Sequence, residues 1–153
     1  MPGYGISTDP GEVLPWSWAL ERLSESRRYW VATTGPDGAP HVAAVWAIWF
    51  DGSLVFSTGG GSAKARNLGR DPRCTITTER ADEAVVLRGA VRRIIDPVVI
   101  DAISERYVAK YGSGFPDAVD NPLFAVAPSN VIGVEEVAER FARTATRWVF
   151  GES

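Results

Sequence analysis

A strand-like run, three glycines and a short basic segment follow one another over residues 54–68, as LVFST, GGG and SAKARNL. The last segment predicts a helix that begins at Ser62. A helix N-terminus presents unpaired backbone N–H groups and a partial positive charge. Glycines let an anion approach that backbone closely. The segment is therefore a candidate cradle for a phosphate group.

Four side chains of this segment can contact such an anion. Ser62 can cap the helix or donate to a phosphate oxygen. Lys64 and Arg66 add full positive charges, and Asn67 adds an amide donor. The P-loop pattern and the G-x-G-x-x-G pattern are both absent from the sequence. A glycine-rich turn, a serine cap and a solvated basic helix face would explain the same residues, so both interpretations stay open.

The other reactive side chains do not form a catalytic constellation. His41 is the single histidine and Cys74 the single cysteine of the chain. No Ser-His-Asp arrangement and no Cys/His metal site follows from them. We interpret His41 as a partly buried strand residue and Cys74 as a core residue. If the chain is an enzyme, a bound cofactor would carry the chemistry.

The composition limits the classes of protein to which the chain can belong. Its 153 residues are 45% hydrophobic, with 16 basic and 19 acidic residues and a net charge of −3. This balance lacks the basic footprint of a nucleic-acid-binding protein, and no apolar run approaches the roughly 20 residues that span a bilayer. The absence of a signal-peptide pattern and the single cysteine predict a cytoplasmic protein.

The spacing of apolar residues predicts one domain over residues 1–153, with a loose arm over 1–14. Helical spacing begins at Trp16 and ends near Ser26. Asp-Gly at 51–52 predicts a two-residue hairpin, and Asp-Pro at 96–97 predicts the start of another helix. The predicted strands cover residues 29–34, 41–50, 53–58, 73–79, 84–95, 131–134 and 147–150. Six or so antiparallel strands with few, short helices favour a mainly β, α+β fold, and we expect a six-stranded antiparallel split β-barrel with a few short flanking helices.

The order of these segments resembles the pyridoxamine 5′-phosphate oxidase-like family, the flavin-reductase-like split barrel. The resemblance covers roughly residues 16–150. It rests on WVATT at 30–34, PHVAAVW at 40–46, LVFST at 54–58 and SAKARNL at 62–68. Gly89 within a strand and Thr-Arg-Trp at 146–148 match as well.

The resemblance implies a homodimer that binds a flavin-type cofactor in two clefts at the subunit interface. That cofactor is flavin mononucleotide (FMN) or the deazaflavin coenzyme F420. The strand at 41–44 would line the ring with its backbone, Ser57 and Thr58 would lie beside the phosphate, and Arg147 and Trp148 would reach the cofactor from the partner subunit. The implied cofactor-binding residues are His41, Val42, Ala43, Ala44, Ser57, Thr58, Ser62, Ala63, Lys64, Arg66, Asn67, Arg147 and Trp148.

The chain departs from the oxidase members of the family. Ala63 replaces a basic residue before the lysine, His41 replaces an arginine, and the C-terminal Arg/His pattern for pyridoxal phosphate is missing. The short length and the strand VWAIWF at 45–50 resemble the F420-dependent reductase branch instead. The implied activity is hydride transfer between reduced F420 and a small unsaturated organic substrate. An FMN-dependent oxidoreductase and a non-catalytic flavin or tetrapyrrole carrier are the alternatives.

Two tryptophans of the strand at 41–50 are candidates for the wall of a substrate pocket. Trp46 and Trp49 are three residues apart and should point to opposite faces of a regular strand. One of them would face the cleft, and the other would lie in the core or in an interface.

Overall fold

The computed structural model describes residues 13–136 and 144–151. Within these residues the chain forms three helices and eight strands. In chain order they are α1 (Trp16–Glu25), β1 (Tyr29–Thr34), β2 (Pro40–Val45), β3 (Ala47–Phe50), β4 (Ser53–Ser57), α2 (Ala63–Arg70), β5 (Arg73–Thr78), β6 (Glu83–Ile94), α3 (Pro97–Tyr111), β7 (Leu123–Glu135) and β8 (Thr146–Val149). No described helix is both long and apolar enough to cross a membrane.

The predicted loose arm over residues 1–14 lies mostly outside the described residues. Its last residue, Leu14, is buried, and its backbone N–H donates to the Thr146 hydroxyl at 3.0 Å. Leu14, the last residue of the predicted arm, is therefore held at the start of β8.

The turns and helix starts that the sequence predicts are present. Asp51 and Gly52 both have positive φ, 49° and 73°, so the β3–β4 connection is a two-residue hairpin of the I′ kind. The Ser62 hydroxyl caps α2 by accepting a backbone N–H of the first turn at 3.2 Å. Asp96 caps α3 in the same manner. Each of these features depends on only two to four neighbouring residues, so the local sequence is enough to form it.

The eight strands form one antiparallel sheet in the order β2-β1-β5-β6-β7-β4-β3, and β8 pairs with β7 beside this path. The mainly β architecture is as predicted, but the strand number is eight rather than six. The predicted strand over residues 41–50 is two strands, because regular pairing stops at Trp46. The strand predicted at 131–134 is longer, since β7 begins at Leu123.

The break at Trp46 shows that the sheet curls on itself. β2 and β3 are the opposite edges of the strand path, yet a single residue connects them. Consecutive Cα atoms are about 3.8 Å apart, so the two edges meet within roughly two such steps. β2 and β3 are not paired with each other. The result is a barrel that is open along one seam, beside Trp46.

The inside of the barrel holds the larger core. Inward residues of β1, β4, β5 and β6 pack there, and Leu23 of α1 is completely buried against them. Trp16 makes edge-to-face contacts with Trp49 and Trp148 at ring distances of 6.3 and 5.5 Å. Cys74 belongs to this core, as predicted, and burial raises the pKa of its thiol to about 12.

A second core lies between α3 and the outer face of β3, β4 and β7. Its centre is formed by Ile103 and Leu123, both with no exposed surface, and by Val55. β4 is consequently buried on both faces. Helix α3 is thereby fixed beside the seam.

The β6–β7 pairing shifts by one residue between Arg88 and Gly89: Asn130 pairs with Arg88 and Pro128 with Gly89, so Ser129 is the extra residue of a β-bulge in β7. A Cβ atom on Gly89 would lie 2.3 Å from the Ala127 carbonyl oxygen and 2.8 Å from a methyl group of Val126. The backbones therefore approach more closely here than any side chain permits.

We expect Gly89→Ala to lower the free energy of unfolding by about 2–3 kcal/mol, because the added methyl must displace backbone of the central strand pair. Urea denaturation followed by tryptophan fluorescence would measure the change. Gly69→Ala is the matched control, since a Cβ there meets no atom within 4 Å. Because alanine favours a helix over glycine, the midpoint of the control should stay the same or rise. The packing argument is wrong if Gly89→Ala keeps the midpoint of the unsubstituted chain.

Candidate functional site

A cleft of about 300 Å³ opens at the seam of the barrel. The end of β2, the end of β4, the first turn of α2, and α3 with the loop that follows it all meet there. The lining residues are Ala44, Val45, Trp46, Ser57, Thr58, Gly59, Lys64, Tyr107, Gly114, Phe115, Pro116 and Asn121.

One end of the cleft is polar. Lys64 lies there beside the end of β4, and none of the ion pairs found among the described residues includes it. The Thr58 hydroxyl is 3.1 Å from that of Ser62, and the Ser57 hydroxyl donates to the Asn121 carbonyl at 3.4 Å. A Cβ on Gly59 would have the Asn121 amide oxygen as its nearest neighbour, at 3.9 Å. This end places the Lys64 ammonium group beside Gly59, where the missing side chain leaves space.

The opposite end is aromatic. Trp46, Tyr107 and Phe115 line it, and the last two rings meet edge to face at 5.4 Å. Burial strongly raises the pKa of the Tyr107 hydroxyl, which donates to the Trp46 carbonyl at 3.1 Å. Tyr107 is therefore neutral at physiological pH, and its hydroxyl proton is engaged by the Trp46 carbonyl while its ring lines the cleft.

Three side chains of α3 hold the seam and are called here the α3 clamp: Tyr107, Lys110 and Tyr111. Beyond the Tyr107 contact, the Lys110 ammonium donates to the Ala47 carbonyl at 2.9 Å and to the Tyr29 hydroxyl at 2.8 Å. The Tyr111 hydroxyl accepts the Ala47 N–H at 3.0 Å and lies 2.9 Å from the Ala47 carbonyl oxygen. These contacts satisfy backbone groups that lose their strand partners at the break.

The cleft contains four of the residues implied by the resemblance: Ala44, Ser57, Thr58 and Lys64. Ser62 lies one contact away, through Thr58, and is used as the helix cap. The strand residues His41 and Ala43 point to the inner face of β2, and Val42 points outward. None of these three lines the cleft of its own chain.

Several implied residues have other contacts in this chain. Asn67 is buried, and its amide group donates to the Thr33 hydroxyl at 3.0 Å and accepts from Arg70. It fastens α2 to β1 rather than pointing into the cleft. The exposed Arg66 guanidinium donates to the Gly61 carbonyl, and Ala63 is not part of the lining.

Arg147 and Trp148 lie away from the cleft of their own chain. Trp148 packs in the barrel against Trp16, over Gly133, where an added Cβ would be 2.8 Å from its ring. Arg147 is exposed on β8. The structure therefore does not bring Arg147 or Trp148 to Lys64 within one chain.

Sequence reasoning missed the α3 side of the cleft. Tyr107, Tyr111 and Phe115 recur every four residues, which was a visible signal for one aromatic face. Of the two candidate tryptophans, Trp46 lines the cleft and Trp49 packs on the core beside Trp16. The break in the strand, rather than simple alternation, places them apart.

Two further cavities offer fewer side chains that could bind a cofactor. A groove of about 460 Å³ behind α2 is mostly apolar, with Arg93 as its one charged lining residue, and a cavity of about 200 Å³ is lined by mixed charges around Arg22 and Glu83. Neither is lined by a lysine, and a third cavity, of about 360 Å³, is lined by Lys110, whose ammonium already donates to the Tyr29 hydroxyl and the Ala47 carbonyl. We therefore place the candidate site at the seam.

Comparison with known proteins decides the family. A family model described as pyridoxamine 5′-phosphate oxidase matches residues 19–137, most of the chain. The chain belongs to this family. Members include oxidoreductases and bind flavins, so membership indicates an oxidoreductase or flavin-binding role. No curated protein matches the chain in sequence.

Solved structures of the family confirm the split-barrel fold. A conserved hypothetical protein from Mycobacterium tuberculosis has a TM-score of 0.72 at 22% identity, covering 84% of this chain and 89% of its own. A heme-binding protein from Mycobacterium smegmatis has a TM-score of 0.72 at 18% sequence identity, and the match covers 89% of this chain and 59% of that protein. An F420 reductase has a TM-score of 0.59 at 25% sequence identity, and the match covers 72% of this chain and 93% of that protein.

Lys110, the lysine of the α3 clamp, predicts that the free energy of unfolding depends on pH. Burial, followed by the charge of Arg27, lowers the pKa of Lys110 from 10.5 to about 8. Below pH 8 the amine is charged in both folded and unfolded chains. Between pH 8 and about 10 only the unfolded chain keeps the proton, so the free energy of unfolding should rise with pH. Above pH 10 the buried Tyr29, whose pKa burial raises, opposes this gain.

We expect Lys110→Met to flatten this rise, measured as urea midpoints at pH 7.5, 8.5 and 9.5. Arg106→Met, which removes a charge from the same helix, is the control and should keep the rise. An unchanged slope in Lys110→Met would show that another group causes it.

Proposed function

We propose that the protein is an oxidoreductase that uses reduced coenzyme F420 to transfer a hydride to a small unsaturated organic substrate. The observation that carries this proposal is the seam cleft, with Lys64 at one end and an aromatic wall at the other. Family membership and the likeness to an F420 reductase support it.

The polar end of the cleft fits a phosphate group. Lys64 lies there outside the ion pairs of the described residues, and the adjacent Gly59 has no side chain that would fill the cleft. The first turn of α2 adds the partial positive charge of a helix start. Ser57 and Thr58 add hydroxyl groups at the end of β4. Phosphate oxygens prefer such a combination of charge, backbone N–H and hydroxyl donors.

The middle and far end of the cleft fit a planar ring and a substrate. Ala44 offers a small side chain beside the backbone of β2, so a flat ring can approach there. The cofactor, when bound, supplies the hydride. The residues of this chain orient the ring, exclude water and hold the substrate against it. Trp46 forms the substrate wall, and the proton comes from water at the cleft mouth.

The dimer implied by the resemblance is part of the proposal. The outer face of β1 and β2 exposes Trp30 and Val42, with 51% and 57% of their surface accessible. Trp30 lies directly opposite Ala44 in the pairing of the two strands, so the exposed face continues to the cleft. Contiguous exposed apolar surface of this kind marks an interface. A second copy would cover it and bring its exposed Arg147 toward the cleft.

FMN is the alternative cofactor, because the family binds flavins. Both cofactors are phosphorylated tricyclic rings, and the polar end would serve either. A carrier of flavin or tetrapyrrole is the non-catalytic alternative. Turnover separates an enzyme from a carrier, since a carrier would bind its cofactor and leave enones and quinones unreduced.

Paired titrations with F420 and FMN, followed by protein tryptophan fluorescence, would test the proposal. We expect F420 to bind more tightly. Lys64→Ala should weaken binding roughly 10- to 100-fold, since a charge-assisted hydrogen bond contributes about 1.5–3 kcal/mol. Arg70→Ala is the matched control, because it removes the same charge from the same helix away from the cleft and should change affinity less than threefold.

Each other outcome of these titrations has a defined meaning. A preference for FMN would assign the protein to the flavin oxidoreductases. Equal losses in both variants would mean that only the general positive charge of α2 matters. If neither cofactor binds, the glycine segment is a capped turn and the proposal is wrong.

The proposed dimer has its own test. Trp30→Asp places a charge in the exposed apolar face, so the variant should elute as a monomer in size-exclusion chromatography with light scattering. Its cofactor affinity should fall as well, because the clefts lie at the interface. Val149→Asp, another exposed apolar residue, on β8, is the control. A monomeric unsubstituted chain would disprove the dimer.

A further inference from the structure

The Trp46 indole is stacked on a second aromatic ring. Its centroid lies 4.5 Å from that of Tyr111, and the two planes differ by only 4°. Tyr111 is held in turn by its place in α3 and by its ring contact with Tyr107, and its hydroxyl contacts both the N–H and the carbonyl of Ala47. The plane of the indole is thus set by a residue that does not line the cleft.

The stack leaves Trp46 one free face. Tyr111 covers one side of the indole, while 43% of Trp46 remains accessible in a residue that lines the cleft. The Tyr107 contact to the Trp46 carbonyl fixes the backbone at the same residue. Side chain and backbone of Trp46 are therefore both held before any ligand arrives.

We propose that Tyr111 is a positioning residue that holds Trp46 as a flat platform, and that this platform selects planar conjugated ring substrates. The inference rests on the proposed function, whose substrate end it specifies. Ordering a mobile side chain on binding costs free energy, and here α3 has already ordered the indole. Stacking requires a flat ligand, so a puckered substrate with the same reactive double bond gains little from the platform.

Two probes separate these effects. Menadione is a planar bicyclic quinone, and cyclohex-2-enone is a small puckered enone. Their dissociation constants would be measured by isothermal titration calorimetry on the protein, and their KM and kcat values on the cofactor-loaded protein. The variants are Trp46→Leu, Tyr111→Leu and Tyr111→Phe. Trp49→Leu is the matched control, since it removes a tryptophan from the same region that packs on the core instead.

We expect Trp46→Leu to weaken menadione binding about tenfold and Tyr111→Leu to weaken it at least threefold, with less than a twofold change for cyclohexenone. The losses should be seen in KM rather than kcat. Tyr111→Phe keeps the ring and should keep the selectivity, and Trp49→Leu should keep it as well. This pattern would not follow from lost stability alone.

The inference is overturned if Tyr111→Leu and Trp46→Leu retain the menadione preference, or if Trp49→Leu loses it to the same extent. Should Tyr111→Leu fail to fold, Trp46→Leu with Tyr111→Phe decides the matter, because retained selectivity in the first variant or lost selectivity in the second overturns it. Failure of the proposed function has a different signature. Neither F420 nor FMN would bind, while calorimetry would still report whether the platform selects menadione.

Discussion

The architecture depends on the one-residue link at Trp46. β2 and β3 are the two edges of the strand path, and this link forces them to meet. The sheet must therefore curl, yet the edges do not pair, so backbone groups at the seam need other partners. Helix α3 supplies them through Tyr107, Lys110 and Tyr111. The same seam is where the ends of β2, β4 and α2 come together, so closure of the barrel and formation of the cleft are one event.

Local features of the fold were predictable because short-range chemistry determines them. The Asp51-Gly52 hairpin, the Ser62 cap and the helix start at Asp96 each depend on a few adjacent residues. The break at Trp46 was not predictable, since the apolar run continues through it without a glycine or proline. Only the tertiary requirement to join opposite edges of the sheet ends regular pairing there.

The candidate site also has one part that the local sequence determines and another that tertiary packing determines. Its polar end lies on one continuous segment, so Ser57, Thr58 and Lys64 could be placed together from sequence. Asn67 lies on the same short helix but turns inward to Thr33, a contact across 34 positions that the local pattern does not encode. The aromatic end joins Tyr107 to Trp46 across 61 positions. Such pairings follow from packing of α3 on the sheet rather than from any motif.

The buried thiol of Cys74 has a consequence for the chemistry of the whole chain. Nucleophilic attack by cysteine requires the thiolate, and with a pKa of about 12 this sulfur remains protonated at neutral pH. Alkylating reagents and thiol oxidants therefore find no reactive thiol on the native fold, and the single cysteine cannot form a disulfide within the chain. A cysteine introduced at an exposed position would be the one labelled group, which makes the unmodified sequence a ready background for site-specific probes.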